Sequence, residues 1–257
     1  MSDQHVLVET NAGVCAIVLN RPEKKNAFTV KMYEACTAAL HSAAGDPTVR
    51  AVLFTGNGSA FTAGNDLVDF MSNPPTGEDS AVIQFLLTLI DYPKPIVVAI
   101  EGNAVGIGVT MLLHCDLVYA SETARFTAPF VALGLVPEGA SSWLLPMNAG
   151  FAKANEALLL GEPFDARTAS DLGLVTRVLP PGELLAFAKS KAARLAELPA
   201  AALRETKDLI RAPHREHAKK VLADEAVMFA MRLGSPEAAE AFQAFFEKRK
   251  PDFTKLQ

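Results

Sequence analysis

Short apolar runs alternate with longer amphipathic stretches along the chain, and the two periods separate strands from helices. Val6 to Glu9 and Val14 to Leu19 read as strands joined by a hairpin turn at Asn11-Ala12-Gly13. Arg21 to Asn26 is polar loop. Thr29 then stands where a helix cap is needed, ahead of Met32, Ala35, Cys36, Ala39 and Leu40 at helical spacing, and Gly45-Asp46-Pro47 ends that helix. Ala51 to Thr55 is a compact apolar strand, followed by a loop from Gly56 to Gly64 and a short helix from about Asp66. Asn73-Pro74-Pro75-Thr76-Gly77 reads as a flexible break before a strongly apolar helix over Ala81 to Ile90. Ile96 to Ile100 is a buried strand, and the loop Glu101 to Gly108 runs into a helix that ends near His114. Asp116 to Ala120 and Ala124 to Thr127 are further short strands. Beyond Ser141 helix dominates, with one short strand over Leu174 to Val178, and the stretch from Pro199 reads as three amphipathic helices.

Strand, loop and helix recur in that order, which predicts an α/β fold of parallel strands flanked by helices, with a helical tail. Ligands in such folds sit where strands end and helices begin. A length of 257 residues with half of them hydrophobic allows a sizeable core. The net charge of -5 argues against nucleic-acid affinity, which rests on phosphate neutralisation, but leaves room for a small basic pocket. Cys15, Cys36 and Cys115 are scattered, so buried reduced thiols are expected rather than disulfides or a metal site. Met1 to His5 is polar and holds no apolar signal core, and Pro93, Pro95, Glu101 and Asp116 interrupt the longest apolar region. No membrane partner and a cytoplasmic location are therefore the expectation. His5, His41, His114, His214 and His217 form no metal-ligand pattern; His114, in an apolar helix, reads as a satisfied core residue. Asp116 is placed to anchor a turn, and Ser141-Ser142 to cap the next helix.

Two glycine-rich segments share one design: Phe61-Thr62-Ala63-Gly64-Asn65-Asp66 and Gly102 to Gly108 each join an apolar strand to a helix. The first turn of a helix carries N–H groups without intrahelical partners, and these favour negative charge. Glycine lets a ligand approach the backbone. Brought together, such turns could place N–H donors around one oxygen, the arrangement of an oxyanion hole. Sterics alone also explain each turn taken singly, and Gly102, Gly106 and Gly108 have the wrong spacing for a dinucleotide fingerprint.

Several blocks in a fixed order make the pattern specific. They are Asn20-Arg-Pro-Glu-Lys-Lys-Asn-Ala27, Phe61 to Leu67, Lys94 to Gly108, Cys115-Asp116, Leu133-Gly-Leu-Val-Pro-Glu-Gly139 and Phe245 to Phe253. In them the chain resembles the crotonase, or enoyl-CoA hydratase/isomerase, family. The resemblance implies a crotonase-like spiral of ββα units over residues 1–198, followed by a helical oligomerisation region over 199–257 that builds a homotrimer or a dimer of trimers. It implies an acyl-CoA thioester as substrate, with coenzyme A entering as part of that substrate and no separate cofactor or metal. By position, the oxyanion donors are the backbone N–H groups of Asn65 and Ile107. Ala63, Gly64, Asn65, Asp66 and Leu67 are expected against the adenine and pantetheine of CoA, with Lys24 and Ala27 as further contacts. Lys248-Arg249-Lys250 is expected near the nucleotide phosphates, although charged runs such as these, and Lys24 with them, are also simply solvated faces.

Hydratases of this family use two glutamates, and the matching positions here hold Thr110 and Phe130. The acid stands instead at Glu138, which is similar to its placement in peroxisomal-type Δ3,Δ2-enoyl-CoA isomerases. A single carboxylate of that kind takes a proton from C2 and returns it to C4. The neighbours Leu133, Leu135, Val136, Pro137 and Trp143 are apolar, so a dry pocket would raise the carboxyl pKa and strengthen the base. Pattern alone also fits a surface Glu on a Pro-Glu-Gly turn. Phe130 and Trp143 are candidate pocket walls. The expected activity is Δ3-to-Δ2 enoyl-CoA isomerisation; hydration or another crotonase reaction, and a non-catalytic acyl-CoA-binding scaffold, are the alternatives.

Overall fold

Ala12 and Gly13 take φ values of 47° and 80°, the left-handed pair that a tight hairpin requires. They join β1 (Val6–Asn11) to β2 (Val14–Leu19), which pair antiparallel with Val6 opposite Leu19. The computed structural model describes residues 5–75 and 77–256; the expectations for Met1 to Gln4 and for Thr76 lie outside the described residues. Four apolar strands then extend this hairpin in parallel: β3 (Ala51–Gly56), β5 (Ile96–Ile100), β7 (Leu117–Ser121) and β10 (Arg177–Leu179). The sheet order is β1-β2-β3-β5-β7-β10. Every residue of β5 is buried, as a central parallel strand covered on both faces should be.

A second, smaller sheet combines the strand expected over Ala124 to Thr127 with segments that read as loops. β4 (Ala60–Thr62), β6 (Asn103–Val105) and β8 (Arg125–Thr127) pair in parallel, and β9 (Phe164–Asp165) closes one edge antiparallel. β3, β5 and β7 each pass into a short strand of the other sheet before the chain turns into a helical segment, which repeats as a ββα turn. The helices that follow are α2 (Leu67–Ser72) after β4 and α4 (Ile107–Thr110) after β6; α4 continues as a 3-10 turn over Met111–His114.

Helices cover both sides. On one, α1 (Val30–Gly45) and α3 (Ala81–Asp91) enclose the main apolar core, with Thr29 accepting from Met32 N at 3.3 Å as the expected cap. On the other, α8 (Leu184–Glu197) sets Leu184, Ala188 and Ala192 against Leu53, Val97, Ala99 and Tyr119. Along the chain between β8 and β10 lie α5 (Ser141–Ala149), α6 (Phe151–Asn155) and α7 (Ala166–Asp171). The C-terminal helices join the main core through Ala218, Leu222, Phe229, Ala238 and Phe242.

Two sequence expectations change here. The strand expected over Leu174 to Val178 begins only at Arg177, because Leu174 and Val175 turn back to donate to Ala169 O after α7. The three expected terminal helices are α9 (Ala200–Leu233) and α10 (Pro236–Glu247), with a 3-10 turn at Phe253–Lys255. Pro213 lies inside α9 without ending it. Proline removes a helix hydrogen bond, but α9 is tied down on both sides of it: Lys207 pairs with Asp116 at 2.7 Å, and Lys219 with Asp91 at 2.8 Å. Asp116 also accepts from Ile96 N, so it anchors the start of β5 as well as α9. All three cysteines are buried, and none forms a disulfide among the described residues. Among the described residues no helix is long and apolar enough to cross a membrane.

Candidate active site

The loop before α1 and the turn after β4 are stitched together by main-chain bonds. Ala63 N donates to Lys25 O, Phe28 N to Gly64 O and Asp66 N to Phe28 O, at 2.8–2.9 Å. Arg21 adds a 2.7 Å ion pair to Asp66 and a 3.1 Å bond to Ala27 O. This zipper gathers Lys24, Ala27 and the run Ala63, Gly64, Asn65, Asp66, Leu67 into one region. Lys24 is exposed there and Ala27 buried. Asp66 does structural work: it caps α2 through Val68 N and Asp69 N while pairing with Arg21. Burial opposes its ionisation, but the Arg21 guanidinium and the amide donors outweigh burial and hold its carboxyl below the usual carboxylate range. Arg21 had drawn no role from sequence; its signal was only its place in the Asn20-to-Ala27 block.

The turn after β6 lies beside the turn after β4, because those strands pair. Gly64 has φ 87°, and a Cβ there would stand 3.0 Å from Val105 O; only glycine fits. Ile107 opens α4, where its N–H has no carbonyl one turn back to bind. Among the described residues neither Asn65 N nor Ile107 N donates to a protein acceptor. The Asn65 side chain is fixed separately by Tyr33, whose hydroxyl donates to Asn65 Oδ1 at 2.5 Å. Tyr33 is itself buried and stacked on Phe28 at 4.7 Å.

Glu138 and Asn65 line the same cavity, of about 460 Å³. Its walls are mostly apolar: Val82, Ile83 and Leu87 from α3 face Leu222, Ala226 and Phe229 from α9. Phe130 and Trp143, expected as walls, are elsewhere. Phe130 is buried in the main core, and Trp143 packs against His214 and His217, with ring centroids 5.9 and 4.5 Å away. These two histidines therefore do share a neighbour, which their spacing in sequence did not reveal. Among the described residues no group of His, Cys, Asp and Glu could hold a metal ion.

Glu138 keeps some exposure through the cavity it lines, yet loss of hydration raises its carboxyl to about 7. A hydrogen bond from Thr110 lowers it and the nearby charge of Glu225 raises it further, both less than desolvation does. Thr110 Oγ1 donates to Glu138 Oε1 at 2.5 Å. Gly139, at φ 73°, would place a Cβ 3.0 Å from Thr110 Cβ, so the segment can lie against α4 only with glycine there. His114 Nε2 bonds Gly139 O at 2.8 Å, and burial lowers its pKa to about 4. The neutral ring thus holds its proton on Nε2, the satisfied core role expected for it.

Ser141 and Ser142 do not cap α5. Ala140, at φ 57°, is the residue before the helix, and Glu225 from α9 takes the capping part by accepting from Ala140 N at 2.6 Å and Ser142 N at 2.9 Å. Its charge is remote in sequence from the helix it serves, so local pattern could not reveal it. The basic run near the C-terminus is partly occupied as well: Arg249 pairs with Glu240 and Glu247.

With this geometry in view, comparison with known proteins is specific. The sequence model of the family described as enoyl-CoA hydratase/isomerase matches residues 9–256. The chain is 40% identical over 252 residues to enoyl-CoA delta isomerase 2 of Rattus norvegicus, covering 96% of this chain and 64% of that protein. It is 34% identical to a probable enoyl-CoA hydratase of Rhodobacter capsulatus, covering 99% of each. Among solved structures, an enoyl-CoA hydratase/isomerase from Pseudoalteromonas atlantica superposes with a TM-score of 0.92 at 46% identity, over 97% of this chain and 100% of that one.

Proposed function

Because the chain belongs to the enoyl-CoA hydratase/isomerase family and has its crotonase-like fold, we propose that it is an enzyme moving a proton along an enoyl-CoA thioester, from C2 to C4, with Glu138 as the single base. The observation that carries this reading is a desolvated carboxyl, at about 7, facing the apolar cavity that it shares with Asn65. The thioester oxygen binds the N–H groups of Asn65 and Ile107. Negative charge grows on that oxygen as the C2 proton leaves, so fixed donors there stabilise the dienolate more than the substrate. The protonated Glu138 then delivers the proton to C4. Coenzyme A lies against the region of Lys24, Ala27 and Ala63 to Leu67 and departs with the product.

Hydration requires a second acid to position water. Thr110 and Phe130 supply none, and the hydroxyl of Thr110 is spent on Glu138. Similarity to a probable enoyl-CoA hydratase keeps that reaction as a second reading. Glu78 is its testable acid, since it also lines the cavity, on the segment before α3. Product analysis separates the two: 2-enoyl-CoA in water should yield little 3-hydroxyacyl-CoA, and its rapid formation, lost in Glu78→Gln, supports hydration instead.

The acyl chain occupies the space between α3 and α9. Ala226→Phe should fill it and lower kcat/KM for long 3-enoyl chains by about 10–100-fold, the scale of a steric mismatch in an apolar pocket. Short chains should be affected little. Equal losses across chain lengths would place the acyl chain elsewhere.

Activity should follow the ionisation of Glu138. A base works deprotonated, so kcat/KM should rise with pH and level off above an apparent pKa near 7. A limb near 4.5 would mean that the working base is a hydrated carboxylate.

Self-association into a trimer or a pair of trimers belongs to this proposal too. Val227, Met228 and Met231 on α9 and Phe245 and Phe246 on α10 are exposed, an apolar surface that oligomers bury. Light scattering at a single monomer mass would reject it.

A further inference from the structure

The helix that lines the cavity also holds the segment that carries the base. Leu222, Ala223, Ala226 and Phe229 of α9 face the cavity, and Glu225 on the same helix turns the other way. Its carboxylate is buried and receives both Ala140 N and Ser142 N, at 2.6 and 2.9 Å. Nothing in the segment itself does this work: α5 has no side-chain cap of its own, and Ser141 Oγ has no partner among the described residues. Ala140 is held at φ 57°, a left-handed conformation unusual for a residue with a side chain, two positions after Glu138.

From this geometry we infer that Glu225 is a positioning residue, which fixes Glu138 by clamping the amides just after it and ties that clamp to the helix the acyl chain touches. The inference rests on Glu138 being the base. Glu225 touches no substrate: both its oxygens are engaged by main-chain donors, and it is not among the cavity-lining side chains. Two anionic acceptors on one carboxylate suit two N–H donors. A glutamine cannot match them, because one end of its amide is itself a donor.

Thr110 and Glu225 act on Glu138. The Tyr33 hydroxyl, raised mainly by burial, also feels the Glu138 charge, and Glu78 and Lys219 line the same cavity. Those acting on Glu225 are the amides it binds and the Ser142 side chain. Removing the Glu225 charge should therefore leave a second signature besides a slower reaction. With the like charge gone, the apparent pKa of the rate profile should move down.

The test is Glu225→Gln and Glu225→Asp in the full chain, with steady-state rates on 3-enoyl-CoA from pH 5 to 9 and with folding checked by circular dichroism. Glu225→Gln should lower kcat by roughly 10–100-fold, the scale of a displaced catalytic group, with KM nearly unchanged and the acid limb shifted to lower pH. Glu225→Asp, which keeps the charge but shortens the reach, should recover the position of that limb and only part of kcat. A folded Glu225→Gln enzyme with wild-type kcat and an unmoved limb overturns the inference. So does failure of both variants to fold, which would make the clamp a purely structural cap. Glu138→Gln run beside them keeps the two ideas apart: if that variant stays active, the proposed base is wrong; if it is inactive while Glu225→Gln is unimpaired, only the clamp is wrong.

Discussion

Glu138→Gln should lower kcat for 3-enoyl-CoA isomerisation by about 10²–10⁴-fold, the range that a positioned general base contributes, and leave binding of CoA itself intact. Glutamine keeps the size of the side chain and still accepts from Thr110 Oγ1, so the loss reports proton transfer rather than packing. The same variant carries a stability signature. Folding raises this carboxyl from 4.5 to about 7. The folded chain therefore holds the proton more tightly than the unfolded chain does. The resulting stabilisation is complete below pH 4.5 and is lost as pH rises through about 7. At 1.36 kcal/mol per pKa unit it amounts to about 3 kcal/mol. Denaturant titrations at pH 5 and pH 8 should show wild-type stability falling more steeply with pH than that of Glu138→Gln. Part of the slope should remain, because Glu225 is also raised by burial. Undiminished turnover in Glu138→Gln overturns the mechanism.

The second large effect belongs to a group that has no side chain. Replacing Ile107 by its α-hydroxy acid counterpart converts one amide to an ester and removes the N–H while keeping the buried side chain. Loss of one oxyanion donor costs about 10²–10³ in kcat, and that is the expected result here. Ile107→Val, which keeps the N–H and trims a methyl group, should leave kcat near the wild-type value. Its cost should appear in stability, at about 0.5–1.5 kcal/mol. An ester-bearing enzyme with full kcat would mean that the thioester oxygen binds elsewhere.

Those two groups were legible in the sequence to different depths. The glycine turns could be paired before any coordinates, because each joins an apolar strand to a helix. Their adjacency comes from β4 and β6, three-residue strands whose pairing no alternation of apolar and polar residues announces. Glu138 could be singled out with its apolar flank, and the raised carboxyl agrees with a dry setting. The walls around it could not be foreseen. Phe130 and Trp143 lay close in sequence, whereas the cavity is bounded by α3 and by a helix contributed from the C-terminal region. Arg21 on Asp66, Tyr33 on Asn65 and Glu225 on Ala140 are each contacts between distant parts of the chain. A helix cap is normally sought in the residue beside it, which is why Ser141-Ser142 drew the role that Glu225 fills. Pro213 is held inside α9 by contacts of the same long-range kind: ion pairs on either side of it offset the local cost of a helix proline.

Tracing one hydrogen atom tests the central claim most directly. A 3-enoyl-CoA carrying deuterium at C2 is turned over once in ordinary water, and the product is examined by mass spectrometry and NMR. A lone carboxyl that carries the proton across a water-poor cavity should deliver a measurable share of the label to C4 of the 2-enoyl product. Complete loss of the label to solvent, or 3-hydroxyacyl-CoA as the main product, would contradict it.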